Sequence, residues 1–200
     1  MNASLYGVHF SPIISFALSC GGAALPVERG ASHDVVLSLR DLAITPGANL
    51  TNACVPTGIE RCFNAIDDNC NGVVDEGCGL PTGPLQFLVA WGSSPANVDL
   101  ELVVPGGEIV GPKAPAVAGF RYDRDCPTTG CNDQNYENLY FNESAPPRGR
   151  YRLRVVLTEP RGTELPLEAH VALRVGNRSY SSAIKLTDPK ARVTYEFELP

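Results

Sequence analysis

Two hundred residues, 44% of them hydrophobic and 19% charged, fit one ordinary domain or a small one plus a spacer. The net charge of −6 and the pI near 5.1 would repel a phosphate backbone, and no basic patch with interleaved aromatics appears, which argues against nucleic acid as a partner. With 19 glycines and 17 prolines, the chain favours short strands joined by turns over a helical bundle.

The first feature is a short apolar run, Ile13 to Leu18, which ends in Ala17-Leu18-Ser19 ahead of Cys20 and Gly21. It is too short to span a bilayer and has the form of a signal-peptide core. Small residues ahead of a cysteine resemble the lipobox of bacterial lipoproteins, where the cysteine becomes the lipidated first residue. That resemblance implies a leader over residues 1–20, lipidation of Cys20 and attachment to a membrane through the lipid. His9 stands alone where a positive n-region would be, and Leu18 sits one place later than the usual leucine. A cleaved secretory signal and an ordinary buried segment are the alternatives. Residues 21–53 lack strong periodicity and read as a tether, although Asp34 to Leu42 could form a short strand.

Apart from Cys20, six cysteines remain, at 54, 62, 70, 78, 126 and 131. In an exported chain an even set of six reads as three disulfides, with fifteen pairings open. Zinc is the rival, but no C-x-x-C pair exists and His9, His33 and His170 are scattered. Cys54 to Cys78 forms a cysteine-rich module, whose even cysteine spacing is not matched by any recurrence of the intervening residues.

Inside that module, Asp67, Asn69 and Asn71 occupy positions 1, 3 and 5 of a calcium-type loop. Gly72 takes the sharp turn, and Val73 can offer its carbonyl. Cys78 stands where an EF-hand would place its bidentate Glu, so Asp75 and Glu76 must close the shell. The competing reading is a disulfide-tied polar turn that binds no specific ion. Glu60 to Gly77, "ERCFNAIDDNCNGVVDEG", resembles the MopE-type metal-binding motif of exported Gram-negative proteins, named after a surface copper-binding protein. Cys62, Asp67, Asp68, Asn69, Cys70, Asn71, Gly72, Asp75 and Glu76 carry the match, and Ala65 replaces a usual Gly. Copper stays an alternative ligand, but the stretch has neither His nor Met, and its oxygens suit calcium at an affinity of roughly 10⁻⁴–10⁻³ M. The expected bridges are Cys62 with Cys70 across the loop and Cys54 with Cys78 around it.

Gly79 to Pro84, "GLPTGP", reads as a linker, and residues 84–200 as a mainly β domain. "PLQFLVAW" is a nearly continuous apolar run suited to a central strand. Val98, Leu100 and Leu102 alternate with Asp99 and Glu101, and Tyr151, Leu153, Val155 and Leu157 alternate with Arg152 and Arg154. "HVALRV" and "SSAIKL" follow, and Val193, Tyr195, Phe197 and Leu199 alternate to the end. About seven to nine strands with turn signals between them predict an antiparallel Ig-like β-sandwich.

Trp91, Asp99, Leu100, Pro105, Gly107, Asp123, Asp125, Glu137, Asn138, Pro147, Gly149 and Tyr151 fall in an order that resembles the YfaP-like extracytoplasmic β-domains. Asn97 departs from the Asp of that pattern. The resemblance implies a β-sandwich outside the cytoplasm with no established catalytic role. Cys126 and Cys131 bracket "PTTG", where a local disulfide is expected. Asp99, Asp123, Asp125, Asp133 and Glu137 make a candidate second ion site, with a solvated loop pinned by its disulfide as the plainer reading.

No nucleophile elbow, zinc-protease pair or phosphate loop is present, so the expectation is a protein that is not an enzyme. The leading reading is a calcium-stabilised lipoprotein of the Gram-negative cell envelope, at the outer membrane or secreted. It would bind an envelope or extracellular protein or a polysaccharide. A secreted carbohydrate-binding or copper-binding surface protein is the alternative, with Trp91, Tyr136 and Tyr140 as the candidate aromatic platform.

Overall fold

Alternating apolar and polar side chains fold as strands wherever one face can be buried and the other wetted. In the computed structural model the described residues are 40–44, 50–51, 54–128, 130–131 and 133–200. The expected leader with Cys20, and the tether as far as residue 39, lie outside them. Eleven strands are present among the described residues: β1 (Arg40–Ile44), β2 (Leu85–Gly92), β3 (Asn97–Val103), β4 (Ile109–Val110), β5 (Ala116–Val117), β6 (Phe120–Tyr122), β7 (Asn135–Phe141), β8 (Gly149–Glu159), β9 (Leu167–Val175), β10 (Arg178–Leu186) and β11 (Arg192–Leu199). They build a mainly β fold of two antiparallel sheets, ordered β1-β11-β8-β3-β4 and β10-β9-β2-β7-β6-β5. Within the stretch expected as a tether, Arg40–Ile44 is an edge strand paired with β11.

The alternating strands turn the expected faces inward. Val98, Leu100 and Leu102 of β3, Tyr151, Leu153, Val155 and Leu157 of β8, and Val193, Tyr195, Phe197 and Leu199 of β11 are all buried. They share one core with Phe87, Val89, Phe141, Val171 and Leu173 from the other sheet. Tyr151 stacks on Phe197 with centroids 5.0 Å apart, and Phe87 lies 5.8 Å from Phe197. Burying a side chain of this size contributes about 1.5–3 kcal/mol, so these inward faces dominate the stability.

β2 is apolar on both faces for a reason outside the sandwich core. Leu85, Phe87, Val89 and Trp91 face the main core, and the indole N–H of Trp91 donates to the Ala96 carbonyl at 2.9 Å. Leu88 and Ala90 face the other way, where a second small cluster joins them to Tyr136 of β7, Ala172 of β9, and Ala65 and Val74 of the cysteine-rich module. Phe63 stacks on Tyr136 at 4.7 Å with the rings 14° apart. The module is therefore a cover over the outer face of the second sheet.

Gly79–Pro84, expected as a linker, is a fixed strap. Its Pro81 carbonyl accepts the Asn138 side-chain amide at 2.9 Å, and the Thr82 hydroxyl donates to Gln86 Oε1 at 2.8 Å. Gln86 in turn donates to Asn138 Oδ1 at 3.1 Å, so two fully buried amides on β2 and β7 satisfy each other. Gly83 is required here, because a Cβ would stand 1.9 Å from the Phe141 carbonyl oxygen.

β7 was not among the strands that alternation predicts, and β4, β5 and β6 are too short to announce themselves. The sequence of β7, "NYENLYF", buries polar and apolar residues on both faces, so its period is hidden.

If the module is a cover rather than a bead on a linker, cutting its anchor must weaken the whole domain. Phe63→Ala is expected to cost about 1–3 kcal/mol and lower a single calorimetric midpoint by several degrees. An unchanged sandwich midpoint with a separate early transition would show the module to be independent.

Candidate functional site

The module has too few residues to bury a core of its own and is held instead by cross-links and by carboxylates that collect backbone amides. The disulfides are Cys54–Cys70 and Cys62–Cys78, each with a sequence separation of 16. This interleaved pairing corrects the nested one expected, and Glu60 and Thr57 together account for it. The Glu60 carboxylate accepts the amide N–H groups of Asp68 at 3.0 Å, Asn69 at 3.3 Å and Asp75 at 2.8 Å, and the last holds the limb of Cys62 near Cys78. Thr57, whose amide and hydroxyl reach the Asp68 carbonyl and carboxylate at 2.8 Å each, holds the limb of Cys54 near Cys70. Cys126–Cys131 closes the short loop as expected, with both cysteines buried in the main core.

Each residue proposed for the calcium loop has a definite place. Asp67 is buried and accepts the amides of Asn71 at 3.1 Å and Gly72 at 2.9 Å, together with the Ser179 hydroxyl at 2.6 Å from β10. Asn69 Oδ1 accepts the Asn71 amide, and Asn71 Oδ1 accepts the Val73 amide, so successive side chains wind the turn. The side-chain amides of Asn69 and Asn71 both close on Glu76 Oε1, while Glu76 Oε2 is buried without a hydrogen bond. Asp75 departs from the expected set. Its carboxylate is buried and turned to the amides of Asn64 and Ala65, both at 3.2 Å, and it fastens the loop from behind.

Glu60 and Asp68 are the residues that the calcium-loop template passed over. Burial and the neighbouring Glu76 charge push the Glu60 carboxyl up to about 7, against the pull of its three amides. Burial likewise raises Asp75 to about 6. Burial opposes ionisation of Asp68 too, but hydrogen bonds from Asn64, Thr57 and the Arg61 amide hold it below the ordinary carboxylate value. The available signal was the density of acids beside a run with no basic partner but Arg61. The module meets the β9–β10 turn closely, and at Gly72, with φ +87°, a Cβ would lie 2.2 Å from the Asn177 carbonyl oxygen.

A second group of carboxylates lies at the other side of β7. Asp99 of β3, Asp125 of the β6–β7 loop and Glu137 of β7 place one oxygen each within 4.8 Å of one another. Of the five residues proposed for this site, Asp123 and Asp133 are exposed and stay outside the cluster. Glu137 is fully buried, and its Oε2 accepts the Leu100 amide at 2.5 Å on the edge of β3. Its Oε1 and the adjacent Tyr122 hydroxyl are buried without a well-formed hydrogen bond. Burial, then repulsion from Asp99 and Asp125, raises the Glu137 carboxyl well above the ordinary value, despite Tyr122 and the Leu100 amide. Burial and Asp99 also raise Asp125.

No family model, no curated protein and no solved structure matches this chain.

The carboxyls of Glu60 and Asp75 are raised in the fold, so the stability they contribute is full below about pH 4 and is lost as pH rises through about 6 to 7. With divalent ions chelated, the thermal midpoint is expected to fall between pH 5 and pH 8, and Glu60→Gln to flatten part of that fall. A midpoint that climbs over the same interval would contradict the assignment. Non-reducing peptide mapping is expected to recover Cys54 joined to Cys70 and Cys62 joined to Cys78.

Proposed function

We propose that the chain is a non-enzymatic protein of the Gram-negative cell envelope, anchored through a lipid at Cys20, whose β-sandwich presents loops to an envelope or extracellular protein or a polysaccharide. The observation that carries the reading is the oxidised state of Cys54, Cys62, Cys70, Cys78, Cys126 and Cys131, since such bridges persist in compartments outside the reducing cytosol. The lipobox-like segment and the YfaP-like order of residues point the same way.

In this reading the cysteine-rich module is stapled by calcium. Asn69, Asn71 and Glu76 supply oxygens beside Asp67, and Glu76 Oε2 has no other partner. Asn69 Oδ1 and Asn71 Oδ1 each accept one backbone amide, which leaves a second lone pair on each oxygen for an ion. With Asp75 committed to backbone amides, few charged ligands remain, which suits a weak extracellular affinity of roughly 10⁻⁴–10⁻³ M. Copper fits poorly, because the loop thiols are consumed in bridges. The carbohydrate alternative loses two of its three aromatics: Trp91 lies in the main core and Tyr136 is buried under Phe63. Tyr140 alone of that set is half-buried.

Metabolic labelling with a fatty acid in a Gram-negative host is expected to mark the wild-type chain and not Cys20→Ala. Recovery of the chain from cytosol with free thiols would sink the envelope reading. For the staple, calcium at ten times its dissociation constant is expected to stabilise the chain by about 1.4 kcal/mol, a rise of a few degrees in the midpoint. Glu76→Gln should remove that share of the shift.

A further inference from the structure

We propose that Asp99, Asp125 and Glu137 form a second and separate site for a hard divalent cation of calcium's size, which ties the two sheets to the loop bearing Cys126–Cys131. It does not depend on the staple in the cysteine-rich module, which lies on different residues.

Position comes first. β4 pairs with β3 only at Leu102 and Val103, so the edge of β3 is open at Leu100. Glu137, which points inward from β7, reaches that open edge and caps the Leu100 amide through one oxygen. Asp99 follows from the next place on β3, steadied by the Asn97 side-chain amide at 3.0 Å. Asp125 comes from the loop just after β6, one residue before Cys126. Three elements thus deliver three acids to one point where the two sheets meet.

The second observation concerns Glu137 by itself. It has no exposed surface, and its remaining oxygen makes no well-formed hydrogen bond, with only the Tyr122 hydroxyl beside it. A buried carboxylate in that condition needs a neutralising partner. Among the described residues no lysine or arginine acts on it. Arg161 acts on Asp125, but its guanidinium is exposed and bridges Glu159 at 2.8 Å. Tyr122 faces the carboxylate from β6, and Asp99 and Asp125 add to its charge instead of relieving it.

The donor set names the class of ion. All three ligands are carboxylate oxygens, joined by no imidazole or thiolate among the described residues, and hard oxygens select calcium, magnesium or manganese over copper or zinc. The number of carboxylates then separates these. Magnesium keeps several waters and is usually held by one or two carboxylates, whereas calcium takes six to eight oxygens in flexible geometry. Three carboxylates with oxygens within 4.8 Å of one another therefore suit calcium. Asp125 is exposed, so water can complete the six to eight ligands from that side. The result is a loop held at its start by a metal ligand and across its span by a disulfide. The competing solution is a proton on Glu137 shared with Asp99 or Asp125.

The test uses calorimetric titration of the oxidised chain with calcium chloride, in a Glu76→Gln background that silences the module. Calcium binding is expected in that background, weakened at least tenfold by Asp125→Asn and by Asp99→Asn, with magnesium binding more weakly than calcium. Asp125 is exposed and repels Glu137, so Asp125→Asn should not lower the midpoint in chelator, which separates lost binding from lost folding. Calcium binding unaffected by Asp125→Asn, tighter binding of magnesium, or no binding at all in the Glu76→Gln background would overturn the site, the last in favour of the shared proton. Glu76→Gln measured against wild type judges the module alone, so either site can fail without the other.

Discussion

A stretch of 25 residues cannot make a hydrophobic core, and the cysteine-rich module solves this by borrowing the back of a sheet. Phe63, Ala65 and Val74 lie against Leu88, Ala90, Tyr136 and Ala172, and nearly every other feature of the module follows from that contact. It sets the strap at Pro81–Pro84, which must return the chain to β2 without leaving the surface. It also explains why β2 is apolar on both faces, although antiparallel strands with one wet face alternate. Arg124 closes the same region from the β6–β7 loop, with its guanidinium 4.9 Å from the centre of the Tyr136 ring. Tyr136 is therefore the residue through which module, sheet and disulfide loop meet.

The buried acids divide into two kinds, and the division separates architecture from candidate chemistry. Glu60 and Asp75 accept two or three backbone amides each, Asp68 accepts one amide with the Thr57 hydroxyl and the Asn64 side chain, and all three act as internal caps for turns that have no ladder. Such groups are costly to remove and explain why an acidic stretch can fold so tightly. Glu137 has one amide on one oxygen and no well-formed hydrogen bond on the other, in company with two more acids. A carboxylate whose capacity is used up by the fold has little left for an ion. One with an idle buried oxygen has a reason to bind something.

The same distinction trims the calcium loop in the module. Asp75 fits the spacing of a ligand, yet its oxygens are occupied from behind. Glu76, one place on, faces Asn69 and Asn71. In a tight loop adjacent residues point to different sides, and spacing alone cannot tell which of two neighbouring acids is turned to the cavity. Backbone conformation matters as well: Ala65 and Asp75 both have positive φ, at 55° and 52°, which redirects their side chains relative to a regular turn.

By itself the sequence determined the class of fold, the inward faces of β3, β8 and β11, and the bridge between Cys126 and Cys131. Those features are local, since period-two burial and a short cysteine loop are each written within a few neighbouring residues. Even the doubly apolar β2 was legible as a central strand, although what covered it was not. The tertiary structure alone decided the pairing of Cys54, Cys62, Cys70 and Cys78, because evenly spaced thiols carry no preference until Thr57 and Glu60 have brought distant segments together. It alone revealed β7, whose buried Asn135, Glu137 and Asn138 erase the alternation that would mark it. It alone selected Asp99, Asp125 and Glu137 from five candidate acids, since proximity between two sheets depends on register and on the open edge of β3, and no stretch of neighbouring residues encodes either.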